Sequence, residues 1–183
     1  ITNNSSWSKR WRNSTVVFQD RLWVIGGYSN GWKNDAWSSV DGTRWIQESS
    51  QVWSTGGAES TAVVFDGKIW MLGGWNAGGL INTIRNSADG KTWETITPQG
   101  AIWEARWDHQ AVVFDNKLWV IGGEKRDIGD IDLKDVWYSF DGTNWAKATA
   151  SADWPARSQF MSTVFKNRLW IVAGDNNSQN FND

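Results

Sequence analysis

The chain has 183 residues, a formal net charge of −2 at neutral pH, 40% hydrophobic and 21% charged residues, one histidine and no cysteine. This balance gives no basic footprint for nucleic acid and no field that would draw the chain onto an anionic membrane, and no apolar run approaches the ~20 residues of a bilayer-crossing helix. Without cysteine there are no disulfides, no thiol catalysis and no Cys-ligated metal, and one histidine rules out a multi-histidine metal centre.

Along the chain one short phrase returns four times. It reads Val16-Val17-Phe18 with Leu22-Trp23, then Val63-Val64-Phe65 with Ile69-Trp70, then Val112-Val113-Phe114 with Leu118-Trp119, and finally Thr163-Val164-Phe165 with Leu169-Trp170. The phenylalanines Phe18, Phe65, Phe114 and Phe165 are 47, 49 and 51 residues apart. A period near 50 predicts stacked supersecondary units, with repeats over approximately 7–52, 53–102, 103–153 and 154–183.

The third repeat predicts four strands. Gln110 to Phe114 is β-branched and short, Asp115-Asn116-Lys117 is a polar turn, and Leu118 to Ile121 is a second apolar strand that Gly122-Gly123 ends. A long polar stretch reaches Lys134. Asp135 to Phe140 is the third strand, Asp141-Gly142 a two-residue hairpin turn, and Thr143 to Ala148 the fourth strand. Asp41-Gly42 and Asp89-Gly90 repeat the turn. The expected fold is all-β, each unit an antiparallel meander that needs a neighbour for burial. Asn3, Asn4, Asn13 and Asn176 also fit the N-glycosylation acceptor pattern.

Thirteen of the 17 tryptophans fall in repeat columns. Trp7, Trp53, Trp103 and Trp154 precede the first strand; Trp23, Trp70, Trp119 and Trp170 lie in the second. Trp37 and Trp137 are in the third, and Trp45, Trp93 and Trp145 in the fourth. A residue recurring in every repeat serves packing between units. Trp11, Trp32, Trp75 and Trp107 stand outside the main columns.

These residues resemble the Kelch-type β-propeller family of the bacterial, Trp-rich sort. The resemblance rests on Leu118-Trp119-Val120-Ile121-Gly122-Gly123, on Asp135-Val136-Trp137-Tyr138-Ser139, and on the Arg106 and His109 lead-in. It implies a propeller of four-stranded antiparallel Kelch-like blades, about three and a half of them present, and a binding role more often than a catalytic one. The second repeat departs from the pattern with Gly57 for Arg and Arg85 for Trp, and the fourth has Ala173-Gly174. Galactose oxidase shares this architecture, but its copper-radical chemistry needs histidine ligands and a cysteine-linked tyrosine. Ser39-Val40-Asp41-Gly42-Thr43-Arg44-Trp45 also resembles the Asp-box hairpin of sialidase-like propellers, one residue short between Asp and Gly.

Aligned by repeat, Phe181-Asn182-Asp183 matches Lys33-Asn34-Asp35, just before a third strand. The expectation is therefore an unfinished ring, completed by the remaining blades of a longer chain or by an oligomeric partner.

In such a meander the first-to-second and third-to-fourth turns share one face and are short here. The second-to-third and fourth-to-first connections share the other, are long, and differ between repeats. Binding residues are expected on that face. Arg10, Arg106 and Arg157 open the first strands and could hold a carboxylate, phosphate or acidic peptide, or else bond loop carbonyls. Trp11 and Trp107 follow two of these arginines and point the opposite way. With Trp32 and Trp75 they could stack on sugar rings or grip a protein, although Trp11 and Trp107 share a column of their own and packing is the preferred reading for those two. His109 is read as a structural group before a base. Asp127, Asp130 and Asp132 crowd one loop, solvated or calcium-binding, without EF-hand spacing.

The expected function is a non-catalytic recognition module for a protein or glycan, with no cofactor, metal, catalytic residue, nucleic-acid partner or membrane insertion. The alternative is a carbohydrate-active hydrolase or lyase. Paired carboxylates beside Arg106 and His109 would favour the enzyme. The compartment is left open, an extracellular or periplasmic one being preferred.

Overall fold

The computed structural model describes residues 5–183, and all of their regular structure is β. The acceptor patterns at Asn3 and Asn4 lie outside the described residues. Three four-stranded antiparallel sheets follow one another in sequence order. The first contains β1 (Ser14–Phe18), β2 (Arg21–Ile25), β3 (Ala36–Ser39) and β4 (Ile46–Ser49). The second contains β5 (Thr61–Phe65), β6 (Lys68–Asn76), β7 (Gly79–Ser87) and β8 (Glu94–Ile96). The third contains β9 (Gln110–Phe114), β10 (Lys117–Asp127), β11 (Gly129–Ser139) and β12 (Trp145–Thr149). A hairpin of β13 (Met161–Phe165) and β14 (Arg168–Val172) comes next, with a short pair, β15 (Asp175–Asn176) and β16 (Gln179–Asn180), beyond it.

The fixed five-residue step from Phe to Trp is a hydrogen bond. The indole Nε1–H of Trp23, Trp70, Trp119 and Trp170 donates to the carbonyl of Phe18, Phe65, Phe114 and Phe165 at 3.0, 3.0, 2.9 and 3.0 Å. A Trp here therefore closes the first hairpin with its polar edge and offers its ring to the next sheet. The turn after the third strand of the following sheet lies on that ring. A Cβ at Gly90 would sit 2.0 Å from the Trp23 ring, and one at Gly142 2.1 Å from the Trp70 ring. Trp23 and Trp70 are accordingly buried, whereas Trp170 is 44% exposed beside Phe165 and Val164.

The apolar core is correspondingly divided into layers between successive sheets. Phe18, Trp23, Ile25, Trp53, Met71 and Trp93 pack between the first and second sheets. Phe65, Trp70, Leu72, Leu118, Trp137 and Trp145 pack between the second and third. Ile121, Val136, Ala152 and Phe160 pack against the β13–β14 hairpin. The first strands β1, β5, β9 and β13 run side by side. Side-chain bonds tie them, among them Ser14 Oγ donating to the Ser60 carbonyl and Thr61 Oγ1 to that of His109.

Two sequence expectations are corrected. The stretch after the glycine pair is not a loop in the second and third sheets. The strands continue through the pair, which forms a register shift between Leu72 and Gly74 and between Ile121 and Gly123. The Asp-Gly turn is wider than two residues, since Ser139 faces Trp145 across it. Asp141 Oδ1 accepts the amides of Thr143 and Asn144 at 2.7 and 2.8 Å, and Ser139 Oγ accepts that of Gly142 at 2.8 Å. Side-chain acceptors satisfy the amides of a broader turn. At Asp41, the amides of Arg44 and Thr43 hold the carboxyl well below its usual range.

In three of the four repeats an arginine locks the repeat internally. Arg10 Nη1 donates to the Gly26 carbonyl at 2.8 Å, and its fork grips Asp35 at 2.6 and 2.9 Å. Arg106 repeats this on Gly122 and Asp135 with 3.0, 2.6 and 2.9 Å. Arg157 repeats it on Ala173 and Asp183 with 2.8, 2.6 and 2.9 Å. Asp35 and Asp135 also accept the indoles of Trp37 and Trp137 at 2.7 Å. Burial pushes both carboxyls up, but the guanidinium and indole more than offset it and their pKa values fall. The second repeat replaces all three members together, with Gly57, Thr83 and Arg85, and the buried Trp53 ring covers Gly57 instead. Its two departures are thus one change.

Removing one member of a buried pair leaves the other charge uncompensated. Arg106→Ala is expected to cost about 3–5 kcal/mol, and adding Asp135→Asn to recover a large part of it. Urea unfolding of the single and double variants measures this; purely additive losses would refute the lock. Ala173 holds φ 58° in the column occupied by Gly26, Gly73 and Gly122. Ala173→Gly is expected to stabilise the chain by about 1 kcal/mol, read as a higher unfolding midpoint.

Candidate functional site

The arginine lock decides what is left for a ligand. The side chains of Arg10, Arg106 and Arg157 are 0%, 0% and 1% exposed. In each, Nη1 donates to a carbonyl and to one carboxylate oxygen, and Nη2 to the other carboxylate oxygen. Of the two roles open to them, the geometry favours the structural one, because an incoming anion would have to displace a buried bidentate partner.

Two residues after each arginine column the backbone turns left-handed. Arg12, Glu59, Asp108 and Gln159 have φ of 57°, 56°, 48° and 53°. This conformation is costly for non-glycine residues and concentrates at functional positions. Here it directs four polar side chains of differing charge to the openings of the first strands. They line a polar cavity of about 550 Å³ with His109 and Gln110.

A second column follows the glycine pair. Tyr28, Trp75, Glu124 and Asp175 each form a bridge to the residue after the arginine position, namely Trp11, Ala58, Trp107 and Ser158. The two columns bring all four unexplained tryptophans together. Trp11 stands edge-on to Tyr28 at 6.0 Å, Tyr28 to Trp32 at 5.1 Å, Trp32 to Trp75 at 5.3 Å and Trp75 to Trp107 at 4.7 Å. Trp11 is 54% exposed, and the others are half-buried. Trp11, Tyr28, Trp32 and Trp75 line an aromatic cavity of about 350 Å³. Arg12 and Glu59, joined in an ion pair, line both cavities and separate them.

The acidic groups gather on the third sheet and the hairpin beyond it. Trp107 Nε1–H donates to Glu124 Oε1 at 2.8 Å. Burial raises the Glu124 pKa, the indole opposes, and Asp130, Asp132 and Asp108 add to the rise. Burial also raises that of Asp108, with Arg12 opposing and Asp175 reinforcing. Asp127, Asp130 and Asp132 lie on the extended hairpin of β10 and β11, not a loop. Arg126 pairs with Asp130 at 2.9 Å, and Asp132 accepts the Asn177 amide at 3.1 Å. Among the described residues no three Asp, Glu or His side chains are grouped to hold a metal ion.

His109 is 2% exposed and neither ring nitrogen has a hydrogen-bond partner. Its carbons pack on Gly73 and Gly123 as Phe160 packs on Gly122 and Gly174. Burial and then the Arg106 charge push its pKa down to about 3. It is a neutral wedge between sheets. Sequence reading named Trp11, Trp32, Trp75 and Trp107, and these meet. It missed Tyr28, Glu124 and Asp175 after the glycine pairs, and Arg12, Glu59 and Asp108; their fixed offsets in each repeat were the available signal.

No family model matches this chain, and no curated protein matches it.

A histidine kept neutral in the fold but protonated near its ordinary 6.5 when unfolded makes the unfolded state bind more protons. Stability therefore falls as pH drops below about 6.5, by up to about 1.4 kcal/mol per unit. The raised Asp108 and Glu124 act with the opposite sign and are common to both proteins. His109→Phe is expected to remove the histidine's acid loss. Urea midpoints compared between about pH 6.5 and 4.5 test this, and parallel slopes would refute it.

Proposed function

We propose that this chain is a recognition module whose sheets are consecutive blades of a Kelch-type β-propeller, and that it binds a glycan on the rim carrying Trp11, Trp32, Trp75 and Trp107. The observation that carries the reading is the convergence of the four off-column tryptophans. Residues that serve no repeat-to-repeat packing column lie in one contiguous array at one end of the sheets. Sugar rings present apolar C–H faces and hydroxyl edges, and the array lies beside a cavity lined by amides, hydroxyls and carboxylates. Aromatic anchors supply the contact area, and polar groups fix orientation. The side-by-side first strands and the glycine amides bonded to the next sheet support the propeller reading.

One observation favours a second reading, a carbohydrate-active enzyme. Glu124 is bonded to Trp107 of the aromatic array and feels the charge of Asp108, so two interacting carboxyls lie beside the array, as the acid and base of a glycosidase do. Product analysis after long incubation with oligosaccharides separates the two, since a binder returns the ligand intact.

Binding is tested by calorimetric titration with a panel of neutral and charged oligosaccharides. Trp75→Ala is expected to weaken binding at least tenfold, about 1.4 kcal/mol or more. Trp170→Ala, exposed but remote from the array, is expected to leave it unchanged. Equal losses from both, or no binding by any oligosaccharide, would overturn the reading.

A further inference from the structure

The column after the glycine pair changes character along the repeats. The column after the glycine pair runs Tyr28, Trp75, Glu124, Asp175, and the left-handed column contributes Asp108 on the acidic side. One half of the rim is aromatic and the other is acidic, on a scaffold that is otherwise the same from repeat to repeat.

The acidic half is short of cations. Glu59 is paired with Arg12 and Asp130 with Arg126, but among the described residues Asp108, Glu124, Asp132 and Asp175 have no ion-pair partner. Asp132 Oδ1 and Asp175 Oδ1 are buried and accept no hydrogen bond. Unsatisfied buried acceptors are expensive, and together they mark a place where donors are missing. The carboxylates are spread along the rim and not gathered to hold a metal ion. A distributed field of this kind suits an organic cation or a row of them.

The aromatic half already accepts cations. The Arg12 guanidinium lies 4.4 Å from the Trp11 ring centroid, and that of Arg126 5.1 Å from Trp107. Both arginines are held by carboxylates, so an ammonium brought by a ligand finds ring faces and unpaired acids within one surface.

Resting on the glycan reading above, we propose that the rim selects amino sugars bearing free ammonium groups, with sugar rings on the tryptophans and ammonium groups facing Glu124, Asp175, Asp132 and Asp108.

The test is calorimetric titration of the full chain with oligomers of glucosamine, of N-acetylglucosamine and of glucose, of one length and linkage. It is run at about pH 6, where the amines are protonated. Glucosamine oligomers are expected to bind at least tenfold more tightly than the other two, and the advantage to shrink as salt rises. In a Glu124→Gln, Asp175→Asn double variant the three oligomers are expected to bind alike. Should that variant fail to fold by its tryptophan fluorescence, Asp132→Asn alone is expected to reduce the advantage several-fold. Equal binding of glucose and glucosamine oligomers, or an advantage that survives the acidic substitutions, overturns this inference and leaves the glycan reading standing. Loss of all three overturns both.

Discussion

A pair of residues in left-handed backbone, once per repeat, is the constraint from which the rest follows. The second member donates its amide to the next repeat: Gly27 to the Gly57 carbonyl at 2.8 Å, Gly74 to Arg106 at 3.0 Å and Gly123 to Arg157 at 3.0 Å. At Gly123 a Cβ would lie 2.6 Å from the Trp107 carbonyl and from His109 Cβ, so no side chain fits without moving backbone. Where the repeat has an arginine in this column, the first member turns its carbonyl to it, and Gly73 turns its own to Ser60 Oγ. One short backbone device therefore joins neighbouring sheets, anchors the buried ion pair, and leaves the slot filled by Ser60, His109 or Phe160 in turn.

The site is built on the residues that flank this device. The pair aims the residue after it, and the left-handed turn after the arginine aims another, at the same end of every sheet. Because the backbone is held by bonds that do not involve these side chains, the flanking positions can differ freely without cost to the frame. They do differ: arginine, glutamate, aspartate and glutamine in one column, tyrosine, tryptophan, glutamate and aspartate in the other. Repetition marks the scaffold, and divergence at a geometrically repeated position marks the surface.

Charge is handled in opposite ways in the two layers. In the scaffold, each buried guanidinium meets a carboxylate in fork geometry, which depresses the carboxyl pKa. On the rim, carboxylates outnumber their partners, and burial with mutual repulsion raises those of Asp108 and Glu124. Asp35 and Asp135 therefore stay ionised to lower pH than free carboxylates, while Asp108 and Glu124 take up protons at higher pH.

The sequence by itself determined the repeat, the all-β class, the positions of the first two strands in each unit and the packing role of the column tryptophans. These follow from local rules: β-branched runs, glycine at left-handed positions, and a Phe-to-Trp step that is a single hydrogen bond. It also isolated Trp11, Trp32, Trp75 and Trp107, since a residue outside the columns stands out against a period. Only the tertiary structure decided the fate of the arginines, because their partners lie 25, 29 and 26 residues away and spacing alone cannot tell a buried fork from an open one. It alone joined the four tryptophans with Tyr28 and Glu124, which come from different repeats. Their meeting depends on how the sheets lie side by side, and that is a property of the inter-sheet bonds and not of any one segment.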